Sequence, residues 1–258
     1  MHETRKKYTV LLLSAPIGSG HRLAAEALEQ AFADRPEVEV IHGNIFDFFP
    51  QFLGKAFLGS YLWILKCCPW LYKLAYTWGN KQGGSLWLRE LLNRLLAYLG
   101  GSYLRSVQPD AVIATHATPA GIIGYYKKQH PKLWLGAVVT DFTIHRWWVC
   151  DGVDTYFIAD ELLRDKLATT ADIQATGIPV RQQFMIKHDK QKCREFFGWD
   201  ENERVCLLMG GGDGRDNLGT AARRSEKPAR CCRHRPQRSV GSTAASQIRR
   251  YCRNLRLP

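Results

Sequence analysis

A chain of 258 residues with 45% hydrophobic residues is long enough for one large domain or two small ones, and apolar enough to bury a real core. Its formal net charge of +12 is unevenly placed: residues 213–258 hold twelve Lys and Arg against three Asp and Glu, so most of the excess lies in this tail. The eight cysteines (Cys67, Cys68, Cys150, Cys193, Cys206, Cys231, Cys232 and Cys252) form no CxxC pair, and residues 1–7 are polar and basic; a zinc ribbon and a secretory signal peptide are therefore not expected, and free thiols in a reducing, cytoplasmic setting are.

The stretch Tyr8–Phe32 opens with the apolar run Val10–Leu13, which suits a strand buried on both faces of a parallel sheet. It breaks at Pro16, Gly18 and Gly20, and from Arg22 the period becomes helical, with Leu23, Ala24, Ala27, Leu28 and Ala31 on one face. A strand, glycine turn and helix in succession aim bare N–H groups and the positive helix end at the space above the strand. The spacing is GxGH, which is neither a dinucleotide fingerprint nor a P-loop; His21 at the mouth of the turn is its informative residue. Strand–Gly–helix turns also occur where nothing binds.

Val38–Ile41 reads as a second strand, after which residues 45–99 are crowded with Phe, Trp, Tyr and Leu. The longest uncharged stretch, Ala56–Leu65, is shorter than the ~20 apolar residues that span a bilayer. Trp63, Trp70, Tyr72, Tyr76 and Trp78, interleaved with Lys55, Lys66, Lys73 and Lys81, fit segments lying in a membrane interface, or else a helical subdomain with an aromatic core. Ser85–Leu99 reads as an amphipathic helix with Arg89, Glu90, Asn93, Arg94 and Ala97 on its polar side, stopped by Gly100-Gly101.

An α/β rhythm then returns. Strands are expected at Asp110–Ala114, Leu133–Val139, Thr155–Ala159, Ile173–Thr176 and Arg204–Met209. Thr118 is placed to cap a helix with Pro119 at its first position, Asp160 to cap the helix after the Thr155–Ala159 strand, and Gly198 to stop a helix over Lys187–Phe197. Each strand empties polar or glycine residues at its C-terminal end, and in a doubly wound sheet those ends share one crevice. Gly18–His21, His116, Asp141–His145 and Gly210–Gly212 all sit at such ends. One His there is usually incidental; His21, His116 and His145 together point to a shared site.

The blocks SAPIGSGHRLAAEAL, THATP, VVTDFTIHRWWV, DTYFIADE, TGIPVRQQF and LLMGGGDG, in that order from about Tyr8 to Gly214, resemble the monogalactosyldiacylglycerol synthase and processive diacylglycerol glucosyltransferase group. The resemblance implies an α/β, Rossmann-like N-terminal domain of a GT-B glycosyltransferase with an aromatic-rich helical insertion. That domain would bind a diacylglycerol-type lipid at an anionic membrane surface, as a peripheral protein on the cytoplasmic face of the plasma membrane. A C-terminal domain would bind a UDP-sugar, with no cofactor and no metal. His21 falls on the family's proposed general base, and Ser19 replaces one glycine of its GGGH turn, where its hydroxyl would cap the helix. Gly18, Ser19, Gly20, His116, Asp141, His145, Trp147 and Trp148 are the implied acceptor-binding residues, and Gly210, Gly211 and Gly212 the implied donor-binding ones. The chemistry agrees, because transfer to a lipid hydroxyl needs a base that titrates near neutrality, and helix ends with basic side chains can hold a leaving diphosphate.

This division gives an acceptor domain over residues 1–204, with its membrane-associating segment at about 45–99, and the first strand and glycine loop of a donor domain over 205–218. Residues 219–258 form an Arg-rich tail. Residues 213–258 hold one aromatic, Tyr251, and no helical or strand period, so an ordered donor domain is not expected from them. The abrupt change is read as a frameshift or truncation near residues 217–222, which leaves the donor domain missing and the chain inactive alone. The competing reading is a genuine tail that grips anionic lipid or nucleic acid, nucleic acid being the less expected partner. A nucleotide-cofactor oxidoreductase ranks last.

Overall fold

The computed structural model describes residues 7–15, 19–48, 86–202, 204–209 and 230–234. The chain divides into two compact units, Met1–Gln182 and Gln183–Pro258.

The first unit is a six-stranded, wholly parallel sheet in the order β2-β1-β3-β4-β5-β6. The strands are β1 (Tyr8–Ser14), β2 (Val38–Asn44), β3 (Ala111–Ala114), β4 (Trp134–Val138), β5 (Thr155–Ile158) and β6 (Asp172–Ala175). The expected strands are therefore all present, with ends within three residues of the pattern. β1 is buried on both faces, as its unbroken run requires. Leu11 and Leu13 join a large core with Val112, Ile122, Leu135, Tyr156 and Ile158, while Val10 and Leu12 join a smaller one with Ala25, Ile113 and Val138. Each such side chain contributes ~1.5–3 kcal/mol by leaving water. The second strand pairs outside β1 and the third returns to its other side, so the order in which strands are added reverses between β1 and β3. Ligand crevices of doubly wound sheets open at such a switch point.

Among the described residues three helices accompany this sheet: α1 (Ser19–Phe32), α2 (Leu86–Val107) and α3 (Ala117–Lys127). α1 turns Ala24, Ala25 and Ala27 inward, as its small-residue face implies. α2 departs from expectation twice. It runs through Gly100-Gly101 rather than ending there, because Gly100 is a packing residue: a Cβ on it would stand 2.5 Å from the Phe48 ring. Its orientation is also largely reversed. Asn93 and Ala97, assigned to the polar side, are buried, whereas Trp87, Leu91, Leu95 and Tyr98 are 64%, 54%, 51% and 83% exposed; Arg94 is exposed as expected. The reason is the partner surface. α3 presents Gly121, whose missing Cβ would lie 2.6 Å from the Asn93 amide, so only a close approach by a slim stripe fits.

α3 is capped by His116, whose Nδ1 accepts from the Thr118 N–H, and not by Thr118 itself. Asp160 caps as expected, but the element it opens is a 3-10 turn, Glu161–Lys166. Ser19 stands as the first residue of α1, inside the helix rather than as its cap. In the second unit α4 (Lys190–Phe197) runs from the cap Asp189 to Gly198, which takes the left-handed conformation at φ +69°. There β7 (Val205–Met209) pairs in parallel with β8 (Arg230–His234), a strand within the tail that its composition did not announce.

Among the described residues no helix is long and apolar enough to cross a membrane. The interleaved Trp63, Trp70, Tyr72, Tyr76 and Trp78, with their lysines, lie outside the described residues, as do Gly18 and Gly210–Gly212.

Candidate active site

Three strand ends converge at the β1/β3 switch point. His21 arrives in the first turn of α1, Thr115 and His116 directly follow β3, and Thr140 stands two residues after β4. The backbone joins them first, since the Thr115 N–H donates to the Leu13 carbonyl at 3.1 Å. His21 Nδ1 then lies 2.8 Å from the Thr115 carbonyl oxygen and 2.7 Å from Thr140 Oγ1. A carbonyl oxygen can only accept, so Nδ1 carries the proton. The lone pair of the neutral ring is therefore on Nε2, at the opposite corner of the imidazole. A fold that fixes this tautomer presents a base.

His116 meets His21 edge to face, with ring centroids 4.6 Å apart at 85°. Because its own Nδ1 accepts from Thr118, its neutral form carries the proton on Nε2. Burial, reinforced by the neighbouring His21, pushes His116 down to about 3, so it stays uncharged at neutral pH. The two adjacent imidazoles thus differ in role. His21 exposes a lone pair, and His116 is a neutral hydrogen-bond donor.

The loop after β4 brings the rest. Trp148, 2% exposed, places its ring 6.4 Å from His116, and its Nε1 donates to Asp141 Oδ2 at 3.1 Å. Asp141, Trp148, His116 and His21 thereby form one chain of contacts. His145 shapes the loop. Its Nδ1 accepts from the Trp147 N–H at 3.2 Å and opens the 3-10 turn Arg146–Trp148, with the His145 and Trp147 rings 6.2 Å apart. Gly20 has open space where a Cβ would sit. Of the expected site residues, then, the fold joins His21, His116, Asp141 and Trp148 directly, keeps Ser19 and Gly20 in the first turn of α1 with His21, and sets His145 and Trp147 in the turn that carries Trp148.

Four residues escaped the sequence reading: Thr115, Thr140, Arg89 and Tyr156. The two threonines were visible as neighbours of His116 and Asp141, but only strand order shows that both reach His21. Tyr156 and Arg89 anchor the Trp148 loop. The fully buried Tyr156 hydroxyl lies 2.8 Å from the Trp148 carbonyl and 3.2 Å from that of Cys150, and accepts from the Cys150 N–H at 3.0 Å. Burial raises the Tyr156 phenol and pushes the Cys150 thiol up to about 12, so both act as neutral anchors rather than nucleophiles.

Residues 21–180 match the family model for monogalactosyldiacylglycerol (MGDG) synthase, a span that begins at His21 and contains every residue of this contact chain. Over 221 residues the chain is 27% identical to the processive diacylglycerol beta-glucosyltransferase of Bacillus pumilus, covering 82% of this chain and 55% of that one. It is 29% identical over 217 residues to the enzyme of the same name from Bacillus cereus (81% and 54% covered). It is 27% identical over 242 residues to the probable monogalactosyldiacylglycerol synthase 2 of Oryza sativa (86% and 49% covered). The chain spans about half the length of the curated relatives it matches. With the family model covering more than half of its residues, and the contact chain inside that span, the chain belongs to the monogalactosyldiacylglycerol synthase family.

Proposed function

We propose that the protein serves hexose transfer from a UDP-sugar to the hydroxyl of a diacylglycerol-type lipid, working at the membrane surface on the cytoplasmic side. The new bond joins the lipid oxygen to the anomeric carbon, the bond from that carbon to the diphosphate breaks, and UDP leaves. The hydroxyl proton passes to Nε2 of His21. Gly18, Ser19, Gly20, His116, Asp141, His145, Trp147 and Trp148 are the proposed acceptor side, and Gly210–Gly212 the proposed donor loop. Helix ends and basic side chains are proposed to hold the leaving diphosphate without a bound metal.

What supports this reading is the contact from His21 Nδ1 to the Thr115 carbonyl, which leaves the ring's lone pair on Nε2 at the switch point of a family domain whose relatives are named for diacylglycerol. The outward Trp87, Leu91, Leu95 and Tyr98 of α2, with Arg94 beside them, support a lipid surface as the place of work. The 258 residues by themselves are expected to transfer little sugar, since the named relatives are about twice as long.

The decisive experiment is ¹⁵N NMR of the histidine rings during titration with phosphatidylglycerol vesicles, with and without diacylglycerol. The chain should bind the vesicles, and the His21 Nε2 resonance should move only when diacylglycerol is present. Vesicle binding with an unmoved His21 in both cases would overturn the acceptor assignment.

A further inference from the structure

The loop 145–150 is irregular and half-buried, so its carbonyls must find partners inside the protein. Two residues from different elements supply them. Tyr156, on β5, takes the Trp148 end of the loop. Arg89, in the first turns of α2, reaches across with Nη1 to the carbonyls of Arg146 at 3.2 Å and Val149 at 2.9 Å. Its Nε is buried without a hydrogen-bond partner. Leaving a guanidinium N–H dry and unpaired is unfavourable, and neither of its Nη1 contacts is to a carboxylate. A Lys or Leu would be the cheaper resident of such a helix. What the arginine adds is reach and one Nη1 with two N–H donors held in the guanidinium plane, so that this single nitrogen serves two carbonyls three residues apart, and those carbonyls bracket Trp147 and Trp148.

We propose that Arg89 is a positioning residue of this site: from α2 it fixes the loop 145–150 so that Trp148 stays against His116 and preserves the edge-to-face His116–His21 pair. This rests on the reading of His21 as the base, but it concerns the geometry of the free protein and is tested without lipid or sugar. Its failure is therefore separable from a failure of the transfer reading.

The experiment compares wild type with Arg89→Met and Arg89→Lys, following the His116 ring through an NMR pH titration, the Trp148 indole N–H resonance, and thermal unfolding. In wild type His116 stays neutral to about pH 3. In Arg89→Met its titration should rise by more than about one pH unit as the ring loses its dry cover, with the Trp148 indole resonance displaced. Arg89→Lys, which keeps a donating cation but loses the reach and planar geometry of the guanidinium, should fall between. Arg105→Met, exposed near the other end of the same helix, should change neither signal. If Arg89→Met does not fold, Arg89→Lys and Tyr156→Phe carry the test, and each should raise the His116 titration. A folded Arg89 variant with a lower unfolding temperature but unchanged His116 and Trp148 signals would overturn the proposal and leave Arg89 as ordinary packing.

Discussion

Acid should weaken the first unit in part through His116. Its imidazole is held neutral down to about pH 3 when folded, against an ordinary value of 6.5. Between those values the unfolded chain binds a proton that the folded one refuses, so stability falls as pH drops below 6.5 and the loss is complete near pH 3. The slope for one such group is about 1.4 kcal/mol per pH unit, which makes the loss from neutral pH to pH 5 about 2 kcal/mol. His116→Asn separates this from every other titration. Asn has a side-chain oxygen that can still accept from the Thr118 N–H and cap α3, but it carries no proton in this range. Urea unfolding of both proteins from pH 4 to 7.5, read through the near-UV signal of the buried Trp148, gives two curves. Their difference isolates His116, because carboxylates and the other histidines are common to both. The wild-type curve should drop below that of the variant by about 2 kcal/mol more at pH 5 than at pH 7. Parallel curves would refute the reasoning, since His116 would then be titrating in the folded protein much as it does in the unfolded one.

The adjacent glycines of α2 should respond with opposite signs. Gly100→Ala drives a methyl to 2.5 Å from the Phe48 ring and should destabilise by ~1–3 kcal/mol, whereas Gly101→Ala meets only the flexible end of Arg105 at 3.1 Å and should stabilise by ~0.5–1 kcal/mol; thermal unfolding of both variants checks the contrast. Thr140→Val removes one of the two oxygens at His21 Nδ1 but leaves the Thr115 carbonyl, so the Nε2 lone pair should persist. Long-range ¹H–¹⁵N spectra read the tautomer directly, and a proton on Nε2 would show that Thr140, rather than the backbone, sets it.

Much of this architecture was legible because it is local. Val10–Leu13 needs two covered faces, the alternation of strands with helical periods demands a parallel sheet, and histidines after consecutive strands must meet wherever those strands are neighbours. The errors arose where a residue's role depends on what it faces. Gly100-Gly101 carries the same letters as a helix stop, and only the Phe48 ring against Gly100 shows that it is a contact. Thr118 is a standard cap, yet the extended backbone at His116 lets the imidazole take the Thr118 N–H first. The roles of Thr115, Thr140 and Arg89 were hidden for the same reason, since their partners lie 94, 119 and 57 residues away in sequence.

The reversal of α2 bears directly on function. An amphipathic helix ordinarily buries its leucines because their transfer from water drives folding. In α2 the inward stripe contains Asn93, Ala97, Gly100 and Leu104, matched to Gly121 and to the Phe48 ring, while Leu91, Leu95 and Tyr98 face outward. The outward leucines therefore contribute little to the core, and polar residues in their place would leave its packing unchanged. Among the described residues this exposed apolar stripe has the character of a surface that meets something apolar. The lipid surface proposed above is one such apolar phase, and Arg94 on the same side suits anionic headgroups. On that reading the two faces of α2 do different work. The outward face rests on the lipid, and from the inward face Arg89 holds the loop that places Trp148 beside the imidazole pair.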